Sequence, residues 1–229
     1  MSIKLDLKIF LFGVLFLLTN QIKIYALLML FALLHEIGHL CAGILLGFKP
    51  KSIGVNPFGF QIEFKTKVED YNKKIKKGNE LCLKKIVIAL AGPIVNLFII
   101  IICILINKEM LVAKETIIYS NILLIIFNLL PIYPLDGGRI LKQIVHVFKG
   151  KKEAYKKINT VSKITVILLT VLISILILYI HNIAFVLILA YLWYLTLKNE
   201  KEYKILNKMY QLQNWKNLSK ILATMLFLM

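Results

Sequence analysis

Long apolar runs separated by short polar segments make up most of this chain. A helix needs about 20 predominantly apolar residues to cross the core of a bilayer. The pattern therefore predicts an all-α polytopic membrane protein with about six transmembrane helices. The predicted spans cover residues 6–20, 22–48, 85–106, 115–135, 160–180 and 183–198.

Two segments depart from this pattern. Residues 49–66 alternate apolar and polar positions and contain glycine and proline, which predicts a short β-hairpin or a re-entrant segment after the second span. Residues 199–229 begin with polar, helically spaced positions and end in an apolar stretch that is too short to span the membrane. We therefore expect a membrane domain over residues 1–198, followed by a short cytoplasmic or interfacial tail.

The charge of the chain follows the predicted spans. The 229 residues are 59% hydrophobic and carry a formal net charge of +17. In a soluble protein this charge would suggest a nucleic-acid partner, but the basic residues flank apolar runs here, so none is expected. With the N-terminus in the cytoplasm, 26 of the 29 Lys and Arg residues fall on the cytoplasmic side. The positive-inside rule then predicts a multi-pass membrane protein with both termini in the cytoplasm.

The string HEIGH places three ionisable residues, His35, Glu36 and His39, near the middle of the second predicted span. Ionisable side chains inside a membrane are costly and usually functional. Because His35 and His39 are four positions apart, they share one helix face and both can reach one metal ion. Glu36 is placed to act as the general base on an attacking water. The alternative is a polar cluster that holds helices together.

A catalytic zinc needs a third protein ligand, and Asp136 is the ionisable residue best placed to supply it. It ends the string LPIYPLD, in which two prolines interrupt the helix, and it is followed by two glycines. An irregular backbone at membrane depth is tolerated where it is buried in protein or lines a wet cavity. The alternative role, compatible with the first, is to cap the helix that continues through residues 140–148.

Four strings in order, HEIGH, GVNPFGFQIEF, ALAGPIVN and FNLLPIYPLDGGRI, resemble the site-2 protease family of intramembrane zinc metalloproteases. The resemblance covers roughly residues 1–160, and the PLDGG form is most similar to the stage IV sporulation protein FB branch. It implies one Zn²⁺ held by His35, His39 and Asp136, with Glu36 as catalytic base. It also implies cleavage of a membrane-associated protein substrate, with an active site that opens toward the cytoplasm.

Other residues in these strings are secondary candidates. Asn128 matches an asparagine of the family, which implies contact with the substrate carbonyl or the oxyanion. Its alternative role is an interhelical hydrogen bond. Asn96 is expected to be structural. Gln61 and Glu63 lie in the alternating segment, which either pairs with an extended substrate or is a solvated hairpin.

The resemblance favours regulated intramembrane proteolysis of a pro-sigma factor during sporulation, in a bacterial cytoplasmic or forespore-surrounding membrane. An anti-sigma factor and a signal-peptide remnant are alternative substrates, and membrane-protein regulators are candidate partners besides the lipid bilayer. A prenyl-protein protease is disfavoured by the LDGG string. From another class, a metal transporter would need polar residues on more spans, and a non-catalytic metal-binding regulator would normally have lost Glu36.

Two expectations concern the ends of the chain. The first apolar run is not followed by a convincing small-residue cleavage site, so we expect an uncleaved span rather than a signal peptide. The tail after residue 198 is too short for the cytoplasmic nucleotide-sensing domain that members of the sporulation branch often carry. Regulation by nucleotide binding is therefore not expected from this sequence.

Overall fold

The computed structural model describes residues 2–5, 13–14, 17, 22–56, 59–65, 75–106, 112–180 and 184–227. Its elements, in chain order, are β1 (Ser2–Leu5), α1 (Ile22–Leu45), β2 (Lys49–Asn56), β3 (Gly59–Lys65), α2 (Ile75–Leu105), α3 (Lys114–Asn128), α4 (Asp136–Ile180) and α5 (Ala184–Phe227). The predicted span over residues 6–20 lies largely outside the described residues. The fold is mostly helical, as the sequence predicts.

Three of the described helical segments are long and apolar enough to cross a membrane, namely Ile22–Leu45, Asn79–Leu105 and Asp136–Ile177. Helix α3 has 15 residues and rises only about 22 Å, less than the bilayer core of about 30 Å. It ends at Asn128, ahead of the two prolines that the sequence pattern placed inside a span. The three additional predicted spans stay a prediction.

Helix α4 doubles back at Gly150, whose φ of 80° and ψ of 169° are not helical. The Nζ atom of Lys142 lies 3.6 Å from the centroid of the Tyr155 ring. In a straight helix these two residues would be about 20 Å apart along the axis. Because a positive φ is unstrained only for glycine, Gly150 allows the turn that separates a first arm, residues 136–149, from a second arm, residues 151–180.

A three-stranded sheet accompanies the helices, in the order β1-β2-β3. Strands β2 and β3 are antiparallel, with Lys49 paired to Lys65, and occupy the segment for which the sequence predicted a hairpin or a re-entrant segment. Strand β1 runs parallel to β2, with Ser2 opposite Ser52. The all-α description therefore needs a correction, because β1 was not predicted. A four-residue strand that pairs with a partner some 50 positions away leaves no local pattern.

Helices α1 and α2 approach each other closely at Gly38. A Cβ atom on this residue would lie 2.7 Å from Val95 Cγ2 and 2.9 Å from the backbone oxygen of Ala91. Small residues at such points let two membrane helices pack with their backbones near each other. The contact brings the HEIGH string of α1 beside the ALAGPIVN string of α2.

The segment between α3 and α4, residues 129–135, is folded tightly onto the start of α4. A Cβ on Gly137 would collide with the backbone of Leu129, and one on Gly138 would lie 2.5 Å from the carbonyl of Ile132. Backbone atoms cannot move aside as flexible side chains do. The glycine pair is therefore required for this turn, which places Asp136 at the first position of α4.

Candidate metal centre

Three buried side chains from two helices converge on one point. His35 and His39 of α1 and Asp136 of α4 are only 2–3% exposed. The Nε2 atoms of the histidines lie 3.0 and 3.1 Å from Asp136 Oδ2, and 3.1 Å from each other. The structure thus brings together the three residues that the sequence indicated as metal ligands.

The second nitrogen of each ring has an acceptor inside the protein. His39 Nδ1 lies 2.6 Å from the backbone oxygen of Ile88. His35 Nδ1 lies 2.8 Å from Asn96 Oδ1. A carbonyl oxygen only accepts, so in the neutral rings the proton is on Nδ1 and the Nε2 lone pair points at the shared centre. Such partners of ligating histidines hold the rings in place.

The orientation of Asn96 is itself set by a second amide. Asn121 Nδ2 donates to the backbone oxygen of Ile117 at 2.8 Å, which turns Asn121 Oδ1 toward Asn96. Asn96 Nδ2 donates to that oxygen at 3.1 Å, which leaves Asn96 Oδ1 to accept from His35. Both asparagines are fully buried. The sequence did not indicate this role of Asn96, and Asn121 was not singled out, although an amide inside an apolar run is the signal that would have found both.

These donors fit a zinc ion. With both Nδ1 atoms protonated, two Nε2 lone pairs and a carboxylate oxygen face one another within 3.1 Å, an arrangement that repels unless a cation lies among them. Ligands at zinc distances around one tetrahedral ion are separated by about 3.3 Å. The set of two imidazoles and one carboxylate is also a normal one for zinc. His35, His39 and Asp136 form the group of side chains in the described part of the chain that could hold a metal ion.

Gly92 of α2 leaves the space that the centre occupies. A Cβ atom at this position would lie 2.5 Å from His35 Nε2 and 2.6 Å from His39 Nε2. The closest neighbours of such a Cβ atom are therefore the histidine rings themselves. Any larger residue would push into the atoms that would hold the metal.

Glu36 and Arg139 lie next to the three histidine and aspartate side chains. One carboxylate oxygen of Glu36, Oε2, is buried and has no hydrogen-bond partner among the residues that the structure describes. Arg139 Nη1 lies 3.6 Å from Asp136 Oδ1. The two oxygens of Asp136 are therefore divided, with Oδ2 toward the histidines and Oδ1 toward the guanidinium. These interactions hold the carboxylate of Asp136 at the candidate metal centre. The capping role, which the sequence left open as an alternative, stays a prediction.

A cavity of about 320 Å³ opens beside the centre. Its wall combines Glu36 and His39 with aromatic residues from the sheet side and basic residues from α2 and α4. The described lining residues are Glu36, His39, Phe48, Phe64, Lys85, Ile88, Ala89, Tyr133, Arg139, Lys142, Gln143, His146, Lys151 and Tyr155. A substrate segment in this cavity would meet Glu36 directly.

The secondary candidates are not at the centre. Asn128 Nδ2 donates to the backbone oxygen of Leu124 within α3 at 3.0 Å, and Asn128 is absent from the described lining of the cavity. Its contact with substrate stays a prediction. Gln61 and Glu63 belong to β3, which borders the cavity through Phe64, while their side chains lie outside the described part of the structure.

Comparison with known proteins agrees with this geometry. Residues 107–172 match the model of peptidase family M50. Stage IV sporulation protein FB of Bacillus subtilis is 28% identical over 128 residues, 55% of this chain and 41% of that protein. A zinc metalloprotease of Methanocaldococcus jannaschii is 31% identical over 140 residues, 58% of this chain and 36% of that protein. The chain thus spans about two-fifths of the length of these curated relatives.

The fold also has a solved counterpart. The site-2 protease from Methanocaldococcus jannaschii superposes with a TM-score of 0.63 at 23% identity, over 86% of this chain and 89% of that one. Fold and buried donors define a membrane protein built around a metal-binding centre. The M50 match over residues 107–172 and the sporulation relative show that the chain is similar to the site-2 proteases of peptidase family M50, and the solved structure shows that it shares their fold.

Proposed function

We propose that this chain is a zinc-dependent endopeptidase that performs regulated intramembrane proteolysis. The observation that carries the proposal is the buried convergence of His35, His39 and Asp136, with an unpartnered oxygen of Glu36 alongside. A hydrolytic site needs a base that can reach water, and Glu36 lies beside the three candidate ligands in this position. The similarity to two relatives, a sporulation protein and a zinc metalloprotease, supports the same function.

Each side chain has a defined task in this proposal. His35, His39 and Asp136 hold the zinc ion, which when bound polarises the scissile carbonyl and lowers the pKa of water. Glu36 takes a proton from the attacking water at its free carboxylate oxygen and returns it to the leaving amine. Asn96 keeps the His35 ring oriented while the substrate reacts.

Asn128 is proposed as a second contact to the substrate. Its amide would donate to the scissile carbonyl oxygen and to the oxyanion that develops from it. To do so it must exchange its hydrogen bond with the Leu124 carbonyl.

A membrane-associated pro-sigma factor is the proposed substrate, and sporulation the proposed context. The likeness to the sporulation protein of Bacillus subtilis supports both. An anti-sigma factor or a signal-peptide remnant is the alternative substrate. The lysine distribution supports six spans, two cytoplasmic termini and a site that opens to the cytoplasm, where a membrane-protein regulator could bind.

The test is co-expression with a candidate pro-sigma substrate. Wild type, Glu36→Gln and Asp136→Asn are compared for cleavage, and zinc is quantified in each purified protein. Glu115→Gln, which changes an exposed glutamate at the start of α3, is the matched control. We expect cleavage by wild type and the control alone, with zinc kept in Glu36→Gln and reduced in Asp136→Asn. Equal cleavage by all four proteins would refute the mechanism.

A further inference from the structure

The cavity beside the metal centre is strongly basic. Lys85 of α2 and three residues of α4 contribute four basic side chains to its wall, and Glu36 is the single carboxylate among the described lining residues. The residues on α4 are Arg139, Lys142 and Lys151. Like charges gathered in a partly enclosed cavity repel one another and attract an anion, because the surrounding dielectric is low.

Lys142 is held in this cavity by two aromatic rings. Its Nζ atom lies 4.2 Å from the centroid of the Tyr133 ring and 3.6 Å from that of Tyr155. Cation–π contacts of this kind fix the position of an ammonium that would otherwise extend into solvent. Glu202 of α5 also attracts Lys142, but it is exposed and is not part of the described lining. The ammonium is thus presented inside the cavity.

The basic residues lead away from the metal centre along one face of α4. Arg139, Lys142 and His146 follow Asp136 at helical spacing on the first arm. Lys142 is therefore about 9 Å along the axis from Asp136. An extended peptide advances about 3.3 Å per residue, so this distance corresponds to about three residues of substrate. Phe64 of β3 provides an apolar wall in the same cavity.

We propose that the cavity binds an acidic side chain of the substrate, about three residues from the scissile bond, and that Lys142 is the residue that selects it. The inference rests on the proposed proteolytic function. Because Glu36 and His39 line the same cavity, its natural occupant is the peptide that is being cleaved. An anionic lipid headgroup would instead obstruct the base.

Binding of short peptides to the full-length Glu36→Gln protein tests the proposal without cleavage. Synthetic apolar peptides differ at a single position, which carries Asp, Asn or Lys and is moved stepwise along the peptide, and binding is followed by fluorescence anisotropy in zwitterionic detergent. We expect the best Asp peptide to bind about tenfold or more tightly than its Asn counterpart, as for a charge-assisted contact. Lys142→Gln should remove most of this preference, and Lys142→Glu should transfer it to the Lys peptide.

Lys156→Gln is the matched control, because it removes an exposed lysine of α4 that is not among the described lining residues. It should keep the preference for Asp. Equal binding of Asp and Asn peptides, or an equal loss in Lys142→Gln and Lys156→Gln, would overturn the inference. A lipid source of the anion is tested in nanodiscs that contain phosphatidylglycerol. If Lys142→Gln changes lipid retention there but leaves peptide binding unchanged, the inference is also overturned.

Cleavage of the same peptides by wild type separates this inference from the proposed function. Cleavage without a preference for Asp contradicts acidic recognition and leaves the protease assignment intact. A preference for Asp in binding, with no cleavage of any peptide by the zinc-loaded protein, supports the acidic subsite and counts against the protease assignment.

Discussion

At the metal centre, the Nδ1 atoms of His35 and His39 already have acceptors within the protein, on Asn96 and Ile88. In the adjoining cavity, by contrast, a buried oxygen of Glu36 has no hydrogen-bond partner in the described part of the chain, and the charged side chains of the described wall are mostly basic. The first region is organised before any substrate arrives, and the second is completed by water and substrate. A catalytic site needs both properties. Rigidly held ligands position a metal ion, and polar groups that still lack partners can bind the peptide.

Removal of the metal should have the largest effect on the organised region. Chelation would leave three acceptor atoms facing one another, so the folded state loses the stabilisation that ligand binding provides. We expect the melting temperature of the wild type in detergent to fall by roughly 10 °C, the consequence of a tightly bound ion in a chain of this size. Asp136→Asn should melt at the lower temperature with or without chelator. If the chelator does not change the melting temperature of the wild type, the proposed zinc site is contradicted.

Gly92→Ala should break the centre while leaving the basic residues of the cavity wall unchanged. The added Cβ would lie 2.5 Å from His35 Nε2, so the ligand atoms must separate. We expect loss of bound zinc and at least about a hundredfold loss of cleavage, comparable to removal of a catalytic group. Gly13→Ala is the control, because a Cβ on Gly13 meets nothing within 4 Å. Zinc bound at full stoichiometry in Gly92→Ala would show that the centre is looser than described.

Asn96→Ala should weaken the centre more gently. It leaves His35 Nδ1 without its acceptor and Asn121 Oδ1 without its donor. Loss of such a partner typically lowers metal affinity by about 10- to 100-fold. Competition with a chromogenic chelator measures this affinity. Asn121→Ala, one hydrogen bond further away, is expected to have a smaller effect in the same direction, and an effect larger than that of Asn96→Ala would contradict the chain of amides.

The smallest effect concerns a network of three charged side chains, Glu200, Lys163 and Lys204, that belongs neither to the metal centre nor to the described cavity lining. Lys163 and Lys204 lie 2.9 and 3.0 Å from Glu200 Oε1 and lower the pKa of Glu200 below its usual value of 4.5. The stabilisation is therefore complete above pH 4.5 and is lost as the pH falls through the lower pKa of the folded protein. Melting temperatures of wild type and Glu200→Gln should differ slightly at neutral pH and converge in acid. A difference that grows in acid would contradict the assigned pairing.

The ligands of the centre were accessible to sequence reasoning for local reasons. His35 and His39 lie one helical turn apart, and Asp136 follows a proline-broken apolar run. The residues that orient them were not accessible in the same way, because the contact between Asn96 and His35 joins positions 61 apart and depends on the packing of α1 on α2. A polar residue in an apolar run shows that a partner exists, but not which one.

The fold, too, has parts that local sequence predicts and parts that it does not. The apolar runs predicted the long helices because the hydropathy of each run is a local property. Strand β1 was missed because its parallel partner β2 is distant in sequence. The sequence pattern indicates that the basic residues of α4 flank the membrane, and for residues 149–157 attraction of an acidic protein substrate is the alternative. Their grouping around Lys142 emerges only when the helix doubles back and brings Tyr155 to it.

The turn at Gly150 also determines what supports the aspartate ligand from behind. The second arm of α4 returns Ser162 to the segment that precedes Asp136, where its hydroxyl accepts from the Tyr133 amide at 3.1 Å and donates to the Pro131 carbonyl at 3.5 Å. The Ser162 hydroxyl thereby joins the second arm of α4 to the segment that precedes Asp136. In a saturation-mutagenesis map scored for proteolysis, Ser162 should be as intolerant of substitution as the residues of the PLDGG string, although it lies 26 positions beyond its aspartate.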